Sequence, residues 1–175
     1  MTGHNIFALV AMAVLPFAGA EVSRAAEALP AALQPPAGYT AAFSAKATGV
    51  QIYTSTADNG TALTWTFEAP LAELSGREGV LHHYAGPSWE AADGSKVTRD
   101  KQTPVISVPA KRAADIPWLL LKVVADPAAG VLSKVTYVQR ISTQGGVAPA
   151  KPPVRADTTV GVPYTATYVF YTKVD

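Results

Sequence analysis

Alternation of apolar and polar side chains is the feature that most limits how this chain can fold. In "ALTWTFEAP", Leu63, Trp65 and Phe67 share one face of an extended chain, and threonines and a glutamate share the other. A period of two residues predicts β-strands, because successive strand side chains point to opposite faces. "PYTATYVFYTKV" repeats the pattern, with one face formed by Tyr164, Ala166, Tyr168 and Phe170. The alternation therefore predicts that these residues, Trp65 included, face a core.

Turn-forming residues separate the predicted strands. Asp58-Asn59-Gly60 and Asp93-Gly94 are typical of hairpin turns, since Asn and Gly tolerate a positive φ. The apolar run "IPWLLLKVV" predicts a strand that crosses the core. Only two short stretches, 70–74 and 110–114, could form a helical turn. We therefore expect an all-β fold with little helix, a single-domain sandwich or small barrel of short antiparallel strands.

The N-terminus has the features of a secretory signal peptide. The apolar run from Ile6 to Leu15 is followed by Ala18-Gly19-Ala20, which has the small-x-small form of a cleavage site. The run is short for a membrane span, although a retained anchor is the alternative. We expect cleavage after Ala20 and a periplasmic or secreted protein with no membrane span. Residues 21–38 then form an Ala- and Pro-rich lead-in to a single β domain, residues 39–175.

The composition excludes several kinds of chemistry. The chain has no Cys, so it can form no disulfide, thiolate zinc site or cysteine nucleophile. Its formal net charge of +1 argues against a nucleic-acid partner. No glycine-rich phosphate loop precedes a helix. We therefore expect no cofactor and no metal, and a small molecule, glycan or envelope protein as the partner.

Several sequence blocks resemble a known family of unknown function. From Gly49 onward the chain is similar to the secreted proteins grouped as domain of unknown function 3455, found in bacteria and fungi. The blocks that carry the resemblance are "GVQIYT", "W-x-F-x-A-P", "HYAGPSWE-x-x-DGSKV", "IPWLLLKV", "VTYVQRISTQGGVAP" and "VPYTATYVFY". The resemblance implies export and a β-rich fold, but no catalytic residue.

The resemblance also implies a contact. In that family a cysteine often follows the "QIYT" block and another follows "GGVAP". Ser55 and the stretch 151–157 occupy those places here. If the two cysteines pair in the relatives, Ser55 should lie close to residues 152–157 in this chain.

Two adjacent histidines are the most conspicuous candidates for chemistry. Because neighbouring strand residues face opposite sides, His83 should face inward, while His82 faces outward. The two rings therefore do not readily bind one metal ion. His83 could be a general base or a lone ligand. We favour a structural role, in which His83 is buried and hydrogen-bonded just before the corner formed by Gly86-Pro87.

Other polar residues offer weaker alternatives. Glu90 and Asp93 could form a carboxylate pair, but Asp93 is better explained as a turn residue and Glu90 as a solvated strand position. Arg140, next to Gln139, could hold a ligand carboxylate with its guanidinium fork. Such an arginine more often pairs with an acidic side chain, and we favour that interpretation. No nucleophile elbow is present for a serine hydrolase.

Among the three tryptophans only Trp89 is a candidate for the surface, since Trp65 and Trp118 lie in apolar patterns. The ligand-contact candidates are His83, Tyr84, Trp89, Glu90, Asp93, Gln139 and Arg140. The sequence favours an exported, non-enzymatic binding or structural module. The alternative is an extracytoplasmic, hydrolase-type enzyme with a site around His83.

Overall fold

The structure, a computed structural model, describes residues 28–58 and 62–174. Nine antiparallel strands follow one another along this part of the chain, and the helical structure in it is one 3-10 turn, Ala31–Leu33. The strands are β1 (Tyr39–Asp58), β2 (Ala62–Gly76), β3 (Gly79–Tyr84), β4 (Ser88–Ala91), β5 (Lys96–Arg99), β6 (Ile106–Val108), β7 (Trp118–Ala125), β8 (Val135–Gly145) and β9 (Thr159–Lys173). The expectation of an all-β fold is confirmed.

All nine strands belong to one sheet that closes on itself. The order is β5-β4-β3-β2-β1-β9-β8-β7-β6, and β5 also pairs with β7. That pairing, Val97 opposite Ala125 through Arg99 opposite Val123, completes an irregular ring. Strand length varies from three residues in β6 to twenty in β1, so the strands are not uniformly short. The residues predicted to form a helical turn at 70–74 belong to β2, and those at 110–114 form bends and turns.

The core fills the inside of the ring. Every second residue of β1 and β9 faces inward, and Tyr164, Ala166, Tyr168 and Phe170 are all buried, as the alternation predicted. Phe43 stacks on Phe170 with ring centroids 4.5 Å apart. Large aromatic side chains of this kind account for much of a core's buried apolar area.

A smaller apolar cluster covers the outside of β7 and β8. Leu33, Trp118 and Leu120 form its buried centre. The lead-in crosses this face, because Gln139 Nε2 donates to the Leu33 carbonyl over 2.6 Å. Burying a side-chain amide is tolerable when it is hydrogen-bonded, as here. No helix among the described residues is long and apolar enough to cross a membrane.

The sequence predicted which face of a strand each residue occupies more accurately than it predicted how deeply the residue is buried. Phe67 pairs with the inward-facing Tyr53, and Trp65 with the inward-facing Ser55, so the predicted face is right. Yet Phe67 is 50% exposed and Trp65 is only half-buried. The expectation that Trp65 lies in the core is wrong, because β1 and β2 extend past the filled part of the ring. There Trp65 Nε1 donates to the Lys151 carbonyl at 3.0 Å.

Candidate functional site

A cavity of about 220 Å³ opens into one end of the ring. Its wall comes from seven strands and two proline-containing loops, with these residues: Gln51, Tyr53, Phe67, Pro70, His83, Pro87, Trp89, Ile116, Pro117, Leu119, Leu121, Arg140 and Tyr168. Most of them are apolar or aromatic, and a few polar groups lie among them. That composition is typical of small-molecule sites. The exposed side chains Phe67 and Pro117 mark where the cavity meets solvent.

Three aromatic rings in mutual contact form one side of the cavity. His83 lies directly opposite Trp89 across the β3–β4 pair, so both face inward. Their rings are nearly parallel, with centroids 4.4 Å apart, and Tyr168 meets His83 edge-on at 5.2 Å. Trp89 is 1% exposed, so the prediction of a surface tryptophan is wrong. The tight corner at Gly86-Pro87, a cis peptide, lets β4 return immediately beside β3.

His83 is buried and hydrogen-bonded, as predicted. Its Nδ1 lies 2.8 Å from the Ser88 carbonyl, which can only accept, so Nδ1 carries the proton. The pKa of His83 is lowered to about 4, mainly by burial and to a smaller extent by the positive charge of Arg140, although the Ser88 bond opposes the change. The ring is therefore neutral at pH 7, with its lone pair on Nε2. His82 is exposed, in agreement with its outward face.

Arg140 is the charged group of the cavity. It is 8% exposed, and both Nε and Nη2 donate to the Pro117 carbonyl, at 3.2 and 2.9 Å. Within residues 28–58 and 62–174 it has no acidic partner, and the further side chain that its guanidinium reaches is the neutral hydroxyl of Tyr168. The interpretation that Arg140 pairs with an acidic side chain is therefore wrong. An arginine has five N–H donors, so part of this fork's donor capacity is unused.

Two more donors of the cavity wall are unpaired. Gln51 Nε2 and Trp89 Nε1 are fully enclosed, and neither makes a hydrogen bond of normal geometry, although the Gln51 side chain lies close enough to Tyr164 to lower the pKa of its hydroxyl slightly against the larger effect of burial. A buried donor without a partner is unusual, because leaving water without a new bond costs free energy. Gln51 was not among the predicted site residues. The signal was present, since Gln51 shares the inward parity of Tyr53 and Ser55 in "GVQIYTS".

Gly146, just after the end of β8, packs closely against Tyr164 and against the cavity residue Ile116. A Cβ there would lie 2.9 Å from Tyr164 Cβ and 3.0 Å from Ile116 Cγ2, and the residue has a φ of +85°. Tyr53 donates its hydroxyl hydrogen to the Gly146 carbonyl at 2.7 Å. The Gly-Gly pair of the sequence thus has a structural role beside the cavity.

The other predicted site residues lie elsewhere. Tyr84 donates to Glu90 on the outer face of β3 and β4, and Lys96 Nζ sits 5.6 Å from the Tyr84 ring. That bond to Glu90 is the main reason why the pKa of Tyr84 is raised. Asp93 accepts from Ser95 in the β4–β5 turn, and Gln139 belongs to the outer cluster. The structure therefore brings together His83, Trp89 and Arg140, and separates the remaining four.

In the described part of the chain, no three His, Asp or Glu side chains are grouped so that they could hold a metal ion. His83 itself has one hydrogen bond, to a backbone carbonyl. The cavity presents groups suited to holding a small molecule. These are aromatic faces, N–H donors of three residue types and one positive charge inside an apolar wall.

No curated protein and no solved structure matches this chain significantly. A family model described as protein of unknown function (DUF3455) matches residues 75–172. The match contains His83, Trp89, Arg140 and Tyr168, whereas Gln51, with the blocks "GVQIYT" and "W-x-F-x-A-P", precedes it. Since the match spans more than half of the chain, the protein belongs to the DUF3455 family.

Proposed function

We propose that this protein is a non-enzymatic binding module that holds a small, largely apolar molecule in the cavity of its β ring. The single observation that carries the proposal is the pair of unsatisfied buried donors, Gln51 Nε2 and Trp89 Nε1, in the wall of one cavity. A bound molecule with acceptor atoms would satisfy them.

The size of the cavity limits the ligand. A volume of about 220 Å³ equals the liquid volume of roughly seven water molecules, at about 30 Å³ each. A single aromatic ring with one polar substituent fits this space completely, whereas an oligosaccharide or a peptide could insert only one end of the molecule. Among the partner classes considered from the sequence, a small molecule is therefore favoured over a glycan or an envelope protein.

A hydrolase-type site around His83 is the second candidate. It would need a nucleophile or a carboxylate beside the ring. Glu90 is instead paired with Tyr84 on the outer face, and Asp93 is occupied by Ser95 and Val131 in a turn. With its pKa lowered to about 4, His83 is also a weak base. These placements support the binding role.

The three tryptophans provide an internal test of binding. In a ¹⁵N-labelled protein each indole N–H gives its own signal, and only Trp89 lines the cavity. Titration with small aromatic probes (phenol, benzyl alcohol, benzamide and benzoate) should shift the Trp89 signal saturably. The signals of Trp65 and Trp118 should stay in place. If none of the four probes moves the Trp89 signal selectively, the proposal is wrong.

Export is the second part of the proposal. The apolar run from Ile6 to Leu15 and the following Ala18-Gly19-Ala20 support cleavage after Ala20. These residues lie outside the described part of the chain. N-terminal sequencing of the expressed protein should then begin at Glu21. An intact Met1 in the cytoplasmic fraction would contradict export and leave the binding proposal standing.

A further inference from the structure

We infer that the molecule held in the cavity is a small organic acid, whose carboxylate pairs with the guanidinium of Arg140. This inference rests on the proposed binding function and adds the chemical class of the ligand. Its basis is the one charged side chain of the cavity wall, which the described residues leave without a counter-ion.

The first step concerns charge. An arginine that is more than nine-tenths buried loses most of its hydration, and such a loss is normally offset by an acidic partner. The ion pairs of the described residues are Arg77–Glu78, Arg112–Asp115 and Lys122–Asp100, and none involves Arg140. The cavity thus contains an uncompensated positive charge.

The second step concerns geometry. The Pro117 carbonyl holds Nε and one hydrogen of Nη2, which fixes the plane of the guanidinium. The other N–H groups meet no acidic side chain among the described residues, and the hydroxyl that one of them reaches, that of Tyr168, is neutral. A planar fork with free donors matches a carboxylate, and charge-assisted bonds of this kind are stronger than neutral ones.

The third step concerns what surrounds the charge. Tyr53, His83 and Tyr168 all line the cavity, and the positive charge of Arg140 lowers the pKa of each, against the larger effect of burial on the two tyrosines. His83 stays neutral, so it adds no second charge. The positive potential of the cavity therefore comes from a single group, surrounded by aromatic rings that suit an apolar ligand body.

The test compares two probes of nearly equal shape, benzoate and benzamide, by titration of the Trp89 indole signal. Because a charge-assisted pair is worth more than a neutral bond, benzoate should bind the unmodified protein about tenfold more tightly or better. Equal binding, or a preference for benzamide, would overturn the carboxylate inference while leaving the binding function intact. Absence of any Trp89 shift with both probes would instead remove the binding function itself.

A variant locates the charge responsible. Arg140→Gln keeps an N–H donor for the Pro117 carbonyl and removes the positive charge. Benzoate should lose more affinity than benzamide, so that the advantage of benzoate over benzamide disappears. Arg155→Gln makes the same change at an exposed arginine and should keep the preference. If the preference survived in folded Arg140→Gln, the inference would be wrong. If that variant failed to fold, the comparison of probes on the unmodified protein would still decide it.

Discussion

Two regions of this protein bury polar groups, and they differ in whether those groups have their hydrogen bonds satisfied. Ser55 and Ser95 are both 0% exposed, and each ties a loop to the sheet with every hydrogen bond made. The cavity buries Gln51, Trp89 and Arg140 to a similar degree, yet Gln51 Nε2 and Trp89 Nε1 are unpaired and Arg140 has no acidic partner among the described residues. Arg99 Nε is a further unpaired buried donor, outside the cavity wall. Buried polar groups that hold a fold are normally satisfied, so the unpaired set indicates a site and the paired sets indicate structure.

The Ser95 joint (Asp93, Ser95, Gly130, Val131 and Leu132) fixes the β4–β5 turn to the loop before β8. Ser95 Oγ donates to Asp93 Oδ1 at 2.6 Å and accepts from the Leu132 amide at 3.1 Å. The other carboxylate oxygen of Asp93 accepts from the Val131 amide at 2.8 Å. These bonds lower the pKa of Asp93, the Ser95 hydroxyl contributing most. Asp93 is thus a structural residue.

The Ser55 joint (Ser55, Arg155, Asp157 and Thr158) holds the loop between β8 and β9 against β1. The Ser55 amide donates to the Thr158 carbonyl at 2.8 Å, and the Asp157 amide donates to the Ser55 carbonyl at 3.0 Å. The Ser55 hydroxyl donates to the Arg155 carbonyl. The family resemblance predicted that Ser55 lies close to residues 152–157, and this prediction is confirmed.

The largest stability change should come from cross-linking the Ser55 joint. Double variants combine Ser55→Cys with Pro153→Cys, Val154→Cys or Arg155→Cys. At least one pair should oxidise readily and gain about 3 kcal/mol in free energy of unfolding over its reduced form, because the bridge closes a long loop. Guanidinium unfolding of the oxidised and reduced forms measures the gain. If no pair forms a disulfide, the Ser55 joint does not occupy the position of the disulfide inferred for the relatives.

Protonation of His83 should have the next largest effect. Its pKa is lowered to about 4 in the folded protein, against about 6.5 in the unfolded chain. Below about pH 6.5 the unfolded chain takes up a proton that the folded protein refuses, so stability falls as the pH drops from about 6.5 to about 4. Between about pH 7.5 and pH 4.5 the loss from this group is roughly 2–3 kcal/mol.

Urea unfolding at about pH 7.5 and about pH 4.5 measures this loss of stability. The loss in the unmodified protein should exceed that in His83→Gln by this amount, and His82→Ala should lose as much as the unmodified protein. An equal loss in His83→Gln would mean that the ring is protonated in the folded state. The contrast between the cavity and the two serine joints would then be weaker, since the cavity would carry a second charge.

Removing a buried group that is fully hydrogen-bonded should lower the free energy of unfolding by less than the protonation of His83 does, but by a measurable amount. Ser95→Ala takes the acceptor from the buried Leu132 amide, so the free energy of unfolding should fall by about 2 kcal/mol. Ser75→Ala, at an exposed position of β2, serves as the control and should change it by less than about 0.5 kcal/mol. Neither variant should alter binding of a probe in the cavity. A Ser95→Ala protein as stable as the control would show that the joint is not structural.

Removing an unsatisfied group should have the smallest effect on stability. Gln51→Leu keeps a similar volume and eliminates a buried donor without a partner, so stability should change by less than about 1 kcal/mol or increase. Gln144→Leu, at an exposed position of β8, is the matched control. Thermal unfolding of both variants measures the effect. A loss as large as that of Ser95→Ala would contradict the distinction between the cavity and the joints.

Local pattern was enough to predict which face each residue occupies. His83 inward and His82 outward, the buried face of β9 and the turn at Asp93-Gly94 are all confirmed, because the two-residue period of a strand is a property of the backbone itself. The hairpin turn predicted at Asp58-Asn59-Gly60 falls mostly on residues outside the described ranges. The absence of cysteine likewise determined from composition alone which sites the chain cannot form.

Only the tertiary structure decided what covers each face and which residues meet. Trp65 and Trp89 were both misjudged, because burial depends on partners far away in sequence: loop 151–158 in one case, and Tyr168 in the other. Arg140 was expected to find an acidic partner, and the β7–β8 pairing places it instead beside Pro117, in the cavity wall with the aromatic rings. The hydrophobic periodicity and the composition of the sequence carry no information about such contacts between residues that are far apart in the chain. The cavity therefore exists only once β5 pairs with β7 and the ring closes.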